Sequence, residues 1–98
     1  MRLIPSDLEA TIPPLYGQDG KGDEAIVYAK LFHPFSSYTL YVLEYDPQER
    51  LIFGWGGSPE PEYGYASLDE LEAVRVMELG IERDRHWTPR TLRDVRKI

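Results

Sequence analysis

The sequence predicts a small α+β domain: an antiparallel, meander-like sheet of about four strands with one main helix packed on one face. Three observations predict it. Residues Ala25–Phe32, Tyr38–Asp46 and Leu51–Trp55 form consecutive runs rich in β-branched and aromatic residues. Short, turn-forming segments join them, and short connections between strands imply antiparallel neighbours. Ser67-Leu68-Asp69-Glu70 is then a capping box that opens a helix with Leu68, Leu71 and Val74 as its apolar stripe.

Taken in order, Ser6–Ala10 reads as a short helix, with Ser6 as cap and Glu9 three residues on. Pro13-Pro14 ends it, since proline lacks the donor and disfavours helix in the residue before it. Leu15 and Tyr16 are then expected on the sheet edge. Gly17–Asp23 reads as a plain surface loop: it has three glycines, but no Lys-Ser/Thr ending and no patterned strand before it, so it is no phosphate cradle. In the first strand Val27, Ala29 and Leu31 share one face, and Ile26, Tyr28, Lys30 and Phe32 the other. The second strand sets Leu40, Val42 and Glu44 against Thr39, Tyr41, Leu43 and Tyr45. Asp46-Pro47 opens a turn. Glu62–Ala66 alternates aromatic with small residues and reads as the fourth strand. The main helix is expected from Leu68 to about Glu78, with Gly80 as its stop. Ile81–Trp87 is expected to be extended, and Thr91 caps a final helical turn through Arg96.

Ninety-eight residues suit one domain, 1–98, because a chain this short carries one core. A hydrophobic fraction of 42% with 29% charged residues is globular composition. The net charge of −6 opposes phosphate-driven nucleic-acid binding, despite the basic C-terminal set Arg90, Arg93, Arg96 and Lys97. The absence of cysteine removes disulfides and thiol chemistry, no apolar run is long enough for a membrane span, and a cytoplasmic setting is expected.

Three constellations are candidates for function. In an extended Glu82–Trp87, Glu82, Asp84 and His86 share one face, and Arg83, Arg85 and Trp87 the other. Asp84 and His86 with a third ligand such as Glu62 have the donor types of a divalent-metal site, or of an oriented general base. The two histidines lack ligand spacing, so no metal and no cofactor is expected. Second, Glu44, Asp46, Glu60 and Glu62 supply paired carboxylates, read as an acidic solvated rim. Third, the chain carries seven tyrosines and two tryptophans. With one helix on one face, the reverse face would present Tyr41 and Tyr45 to a partner.

The pieces Pro14-Leu15-Tyr16, Lys30-Leu31-Phe32 with Pro34, Thr39–Asp46 with Pro47, Phe53-Gly54, Glu62-Tyr63-Gly64-Tyr65, Ser67-Leu68 with Glu70-Leu71, and Glu82-Arg83-Asp84 with His86 occur in an order that resembles the family of small bacterial and plasmid-borne domains of unknown function 2958. The resemblance implies one uncharacterised domain and supplies no activity, cofactor or site residue. The Trp55-Gly56-Gly57 segment departs from its pattern.

The expectation from sequence is a non-enzymatic cytoplasmic interaction module. Its partner is a protein, self-association is compatible, and nucleic acid and membrane are disfavoured. The binding residues would be Tyr41, Tyr45, Glu62, Tyr63, Arg83, Asp84, His86 and Trp87. The alternative is a small metal-assisted or acid/base hydrolase using Asp84 and His86.

Overall fold

The computed structural model describes residues 2–57 and 60–97. The elements run α1 (Ser6–Glu9), a 3-10 turn (Gly22–Glu24), β1 (Ile26–Val27), β2 (Ala29–Phe32), β3 (Thr39–Asp46), β4 (Leu51–Gly56), β5 (Glu62–Ser67), α2 (Leu68–Ala73), β6 (Glu82–Arg83), β7 (Arg90–Thr91) and α3 (Leu92–Arg96). The fold is α+β as expected. The main sheet has five strands in the order β5-β4-β3-β2-β6, and β1 pairs separately with β7. Every pairing is antiparallel. β2 to β5 make the expected meander, and the fifth strand, β6, comes from the Ile81–Trp87 stretch.

Among the described residues there is no single main helix. α2 ends at Ala73, well short of Glu78, because Val74 turns out of the helix at φ −61°, ψ 132°. The chain then makes a tight turn in which Val76 and Leu79 exchange backbone hydrogen bonds, with Met77 and Glu78 both left-handed. The Ser67 half of the capping box forms: Ser67 Oγ accepts the N–H of Glu70. Thr91 likewise caps α3 by accepting the N–H of Asp94. Ser6 makes no cap; it is the first residue of α1, and Arg2 donates to its hydroxyl.

Both faces of the sheet are covered, which overturns the expectation of one open face. One face packs Ala29, Leu31, Leu40, Val42, Tyr45 and Ile52 under Leu3, Ile4 and Ile12 from the N-terminal segment and Leu68 and Leu71 from α2. The other packs Leu43 with Ala25, Val27, Leu92 and Val95, flanked by Tyr41, Phe53, Trp55 and Trp87. The second cover is the N- and C-terminal pieces of the chain acting together, β1 with β7 and α3.

A β-bulge explains why alternation misplaced half of β3. Pairing with β4 shifts between Val42 and Glu44, so Leu43 is the extra residue. A bulge puts two successive residues on one side and inverts the parity beyond it. Leu43 and Glu44 therefore face the α3 side. Tyr45, expected beside Tyr41, turns into the opposite core and is 2% exposed.

The expected first strand also breaks. Tyr28 donates its N–H to Val42 O, and Ile26–Val27 peels away to pair with Arg90–Thr91. Segment 13–18 takes the vacated side of β3: Tyr45 donates its N–H to Pro13 O. Among the described residues, no helix is long and apolar enough to cross a membrane.

Candidate functional site

The bulge opens a cleft of about 420 Å³, within the size range of ligand sites. Its walls are Phe53 from β4, Tyr63 and Tyr65 from β5, Leu43 and Glu44 from β3, and Tyr16, Gln18 and Asp19 from the loop that overhangs them. Phe53 lies parallel to Tyr63, with ring centroids 5.9 Å apart, and tilted against Tyr65 at 5.1 Å. These are cross-strand neighbours: Tyr65 stands directly opposite Phe53, and Tyr63 opposite Trp55.

The floor is polar and fully engaged. Glu44 is 5% exposed. One carboxylate oxygen accepts the N–H of Tyr16 at 2.8 Å and the other that of Gln18 at 2.9 Å. Tyr16 sits at φ +69°, the left-handed turn that lets both N–H groups converge on one carboxylate. Gln18, also buried, ties three elements together. Its amide nitrogen donates to Ile26 O and to Leu43 O, both at 2.8 Å, and its amide oxygen accepts the N–H of Ile26 at 2.6 Å. Leu43 is the bulged residue, so Gln18 satisfies the carbonyl that the bulge leaves outside the ladder. Interaction with the neighbouring Tyr16 hydroxyl, then burial, then the Tyr16, Glu44 and Asp19 charges push the Tyr65 hydroxyl above its usual 10.0.

The cleft is acidic and has no basic lining residue. Among the described residues, the ion pairs join Arg50 to Asp69 and Glu72, Arg93 to Glu24, and Arg96 to Asp23, and none reaches Glu44 or Asp19. Cations do sit on the neighbouring rings. The Arg96 guanidinium stands 5.5 Å above Trp55, and that of Arg90 stands 4.9 Å above Trp87. Tyr41 lies between Trp55 and Trp87, at 6.0 and 5.8 Å. One aromatic row thus crosses the sheet from Tyr65 to Trp87, with arginines over its tryptophan end alone.

The residues expected to bind are scattered. Tyr45 is core, and Tyr41 is half-buried between two indoles. Glu62 and Tyr63 lie on β5, and Arg83 on β6, at opposite edges of the sheet. Glu62, Gly56, Leu40, Leu31 and Arg83 stand in one row across it. Four strand spacings put Glu62 about 19 Å from the β6 edge. It therefore cannot complete a site with Asp84 and His86. Among the described residues, no three histidine, aspartate or glutamate side chains group as metal ligands.

The Glu82–Trp87 stretch is extended only through Arg83. The Asp84 carboxylate accepts the N–H of His86 at 2.9 Å, a local turn rather than a contact with the imidazole. Arg83 donates to Leu3 O, and the Trp87 indole donates to Val27 O. Both are spent on holding terminal segments to the sheet. The basic C-terminal set is largely engaged too: Arg93 and Arg96 pair with the acidic 3-10 turn, and Arg90 and Arg96 lie on tryptophans.

Sequence reasoning missed Gln18 and Asp19, which it read as loop, expected Tyr16 only on the sheet edge, and placed Glu44 on a solvated rim. The available signal was Glu44 itself, a charge inside an otherwise apolar strand, which burial permits only with partners.

No curated protein and no solved structure matches the chain. The family model described as Protein of unknown function (DUF2958) matches residues 7–93, a span holding the whole cleft, its loop and both sheet edges. The chain belongs to the DUF2958 family.

Proposed function

We propose that this protein is a non-enzymatic interaction module whose cleft holds an arginine or lysine side chain of a partner protein. One observation carries the reading. Tyr16, Phe53, Tyr63 and Tyr65 line one cleft with a carboxylate, Glu44, that has two backbone hydrogen bonds and, among the described residues, no cation of its own. A cation over an aromatic ring gains about 0.5–2 kcal/mol, more where water is excluded. The chain uses that interaction one residue pair away, where its own Arg96 rests on Trp55. The same ring row ends at Phe53, Tyr63 and Tyr65 without a cation, beside two carboxylates. The overall charge of −6 favours encounter with a basic partner. A cysteine-free module of this kind suits a reducing, cytoplasmic setting.

The test is an amide-resolved NMR titration with arginine amide. The signals of Tyr16, Gln18, Glu44 and Tyr65 should move and saturate, and the effect should weaken with salt. Tyr65→Leu should abolish the saturation while leaving the spectrum folded. If arginine amide moves these signals no more than glutamate amide does, the reading is wrong.

A further inference from the structure

We infer that β5 is an open edge that accepts an extended basic segment of the partner as a sixth strand, with that segment's arginines laid against Tyr63 and Tyr65. The inference rests on the cationic preference proposed above for the segment's charge. It rests on backbone geometry for its shape.

β5 is the terminal strand of the sheet, six residues long and in unbroken register with β4. Leu68 donates its N–H to Arg50 O. Bonding toward a neighbour alternates along an antiparallel pair, so Ala66, Gly64 and Glu62 also face β4. Tyr63 and Tyr65 therefore point their N–H and C=O groups outward, while Ser67, at the same parity, caps α2. Edges in monomeric proteins are usually blunted by lysine, a bulge or an internal proline. β5 has none of these; its one charge is Glu62. Its side chains are open as well, with Tyr63 47% and Tyr65 53% exposed. The other edge, β6, is two residues long and leads directly into the Asp84 turn.

The outward backbone groups and the cleft rings belong to the same residues. On an added antiparallel strand, a residue opposite Tyr63 or Tyr65 turns its own N–H and C=O toward β5. Its side chain lies on the cleft face, about 4.5–5.5 Å from the tyrosine. An alternating sequence with a cation at every second residue meets both demands at once.

Charge selects the occupant. From Leu51 to Val74 the chain has no lysine or arginine but contains Glu60, Glu62, Asp69, Glu70 and Glu72. A second copy paired antiparallel on β5 would bring Glu60 and Glu62 of one copy toward the α2 start of the other, where Glu70 adds to the negative charge and only Asp69 is paired, with Arg50. Like charges facing each other across a ladder are destabilising. A basic strand is favoured at the same positions.

The experiment measures binding of acetyl-(Arg-Val)3-amide to the full chain by fluorescence anisotropy, with two N-methylated versions. N-methylation of the arginines removes donors aimed at β5. N-methylation of the valines removes donors aimed at solvent. The expected result is a loss of roughly twenty-fivefold for the arginine-methylated peptide, about fivefold for each of two lost bonds, and little change for the valine-methylated one. Acetyl-(Glu-Val)3-amide should not bind. Equal losses for the two methylated peptides overturn strand addition, and if arginine amide still saturates the cleft, the proposed function stands. An alternation-sensitive peptide whose affinity is indifferent to Tyr65→Leu sinks the cleft reading and keeps the edge. Failure of both peptide and arginine amide overturns both. Sedimentation showing a dimer that Tyr63→Pro dissociates and Tyr63→Ala does not would assign the edge to a second copy and overturn the basic partner.

Discussion

Gln18→Glu is the sharpest probe of the cleft, because it changes two atoms' chemistry and no shape. The Gln18 amide nitrogen donates to Ile26 O and Leu43 O, and its neighbour across the loop is the Glu44 carboxylate, which accepts the Gln18 backbone N–H. A carboxylate cannot donate, so both carbonyls lose their partner in a buried site. It also sets a second negative charge beside Glu44. Two net hydrogen bonds at about 0.5–1.5 kcal/mol each, plus the cost of leaving buried carbonyls unmade, come to about 3–5 kcal/mol. For a domain of this size each kcal/mol moves Tm by about 4–8 °C, so a fall of at least about 12 °C is expected at pH 7. The pH dependence has a defined sign. Burial and the Glu44 charge favour the neutral form of the new carboxyl, raising its folded-state pKa above the unfolded value of about 4.3. Protonation restores one donor. The stability deficit should therefore shrink as pH falls through the raised value toward the unfolded one, and grow as pH rises. Thermal melts of Gln18→Glu against Gln18→Ala between pH 5 and pH 8 read this directly. A variant that melts within a few degrees of the parent, with no extra gain on acidification, would show that the amide does not hold the bulge.

Three further outcomes follow from the packing. Tyr45→Ala should cost about 3–5 kcal/mol in chemical denaturation, since the ring is fully inside the core; a folded variant of near-parental stability would contradict that placement. Gly56→Ala and Gly64→Ala should diverge sharply. A Cβ at Gly56, where φ is +150°, would meet Thr39 O at 2.2 Å, whereas one at Gly64 meets nothing within 4 Å, so only the first should unfold in thermal denaturation below the parent's transition. Finally, Tyr38 and Tyr41 are held above the usual 10.0 by burial, Tyr45 mainly by burial against the opposing Arg50 charge, and Tyr65 mainly by interaction with the Tyr16 hydroxyl. A raised tyrosine favours the neutral folded form below pH 10 and loses that contribution as pH rises beyond it. Phenolate absorbance should thus show four late-titrating tyrosines, with stability declining through the same alkaline range.

The strands and caps were legible because their causes are local. Alternating Leu and Val, the Asp46-Pro47 turn, and the hydroxyls of Ser67 and Thr91 act on residues within a few positions of themselves. The cleft residues were not legible, for a reason visible at Leu43. One extra residue in β3 inverts every side chain beyond it, moving Tyr45 into the core and Glu44 into the cleft. Nothing in the spacing of Thr39–Asp46 announces that residue. It is stabilised by Gln18, which lies 25 positions away and which reads as ordinary loop. The tail followed the same pattern. Its arginines look like a basic patch in sequence, yet Arg93 and Arg96 pair with Glu24 and Asp23, and Arg90 lies on Trp87.

Sequence alone determined the α+β class, the order of the strands along the chain, the helix starts and the acidic, cysteine-free character, because short-range sterics, hydrogen bonding and composition decide those. Tertiary structure alone decided that both sheet faces are covered, that Glu62 and Asp84 lie at opposite edges, and that four aromatic residues line one cleft with Glu44. Those depend on pairings between residues far apart in the chain, whose energies exist only once the backbone has closed.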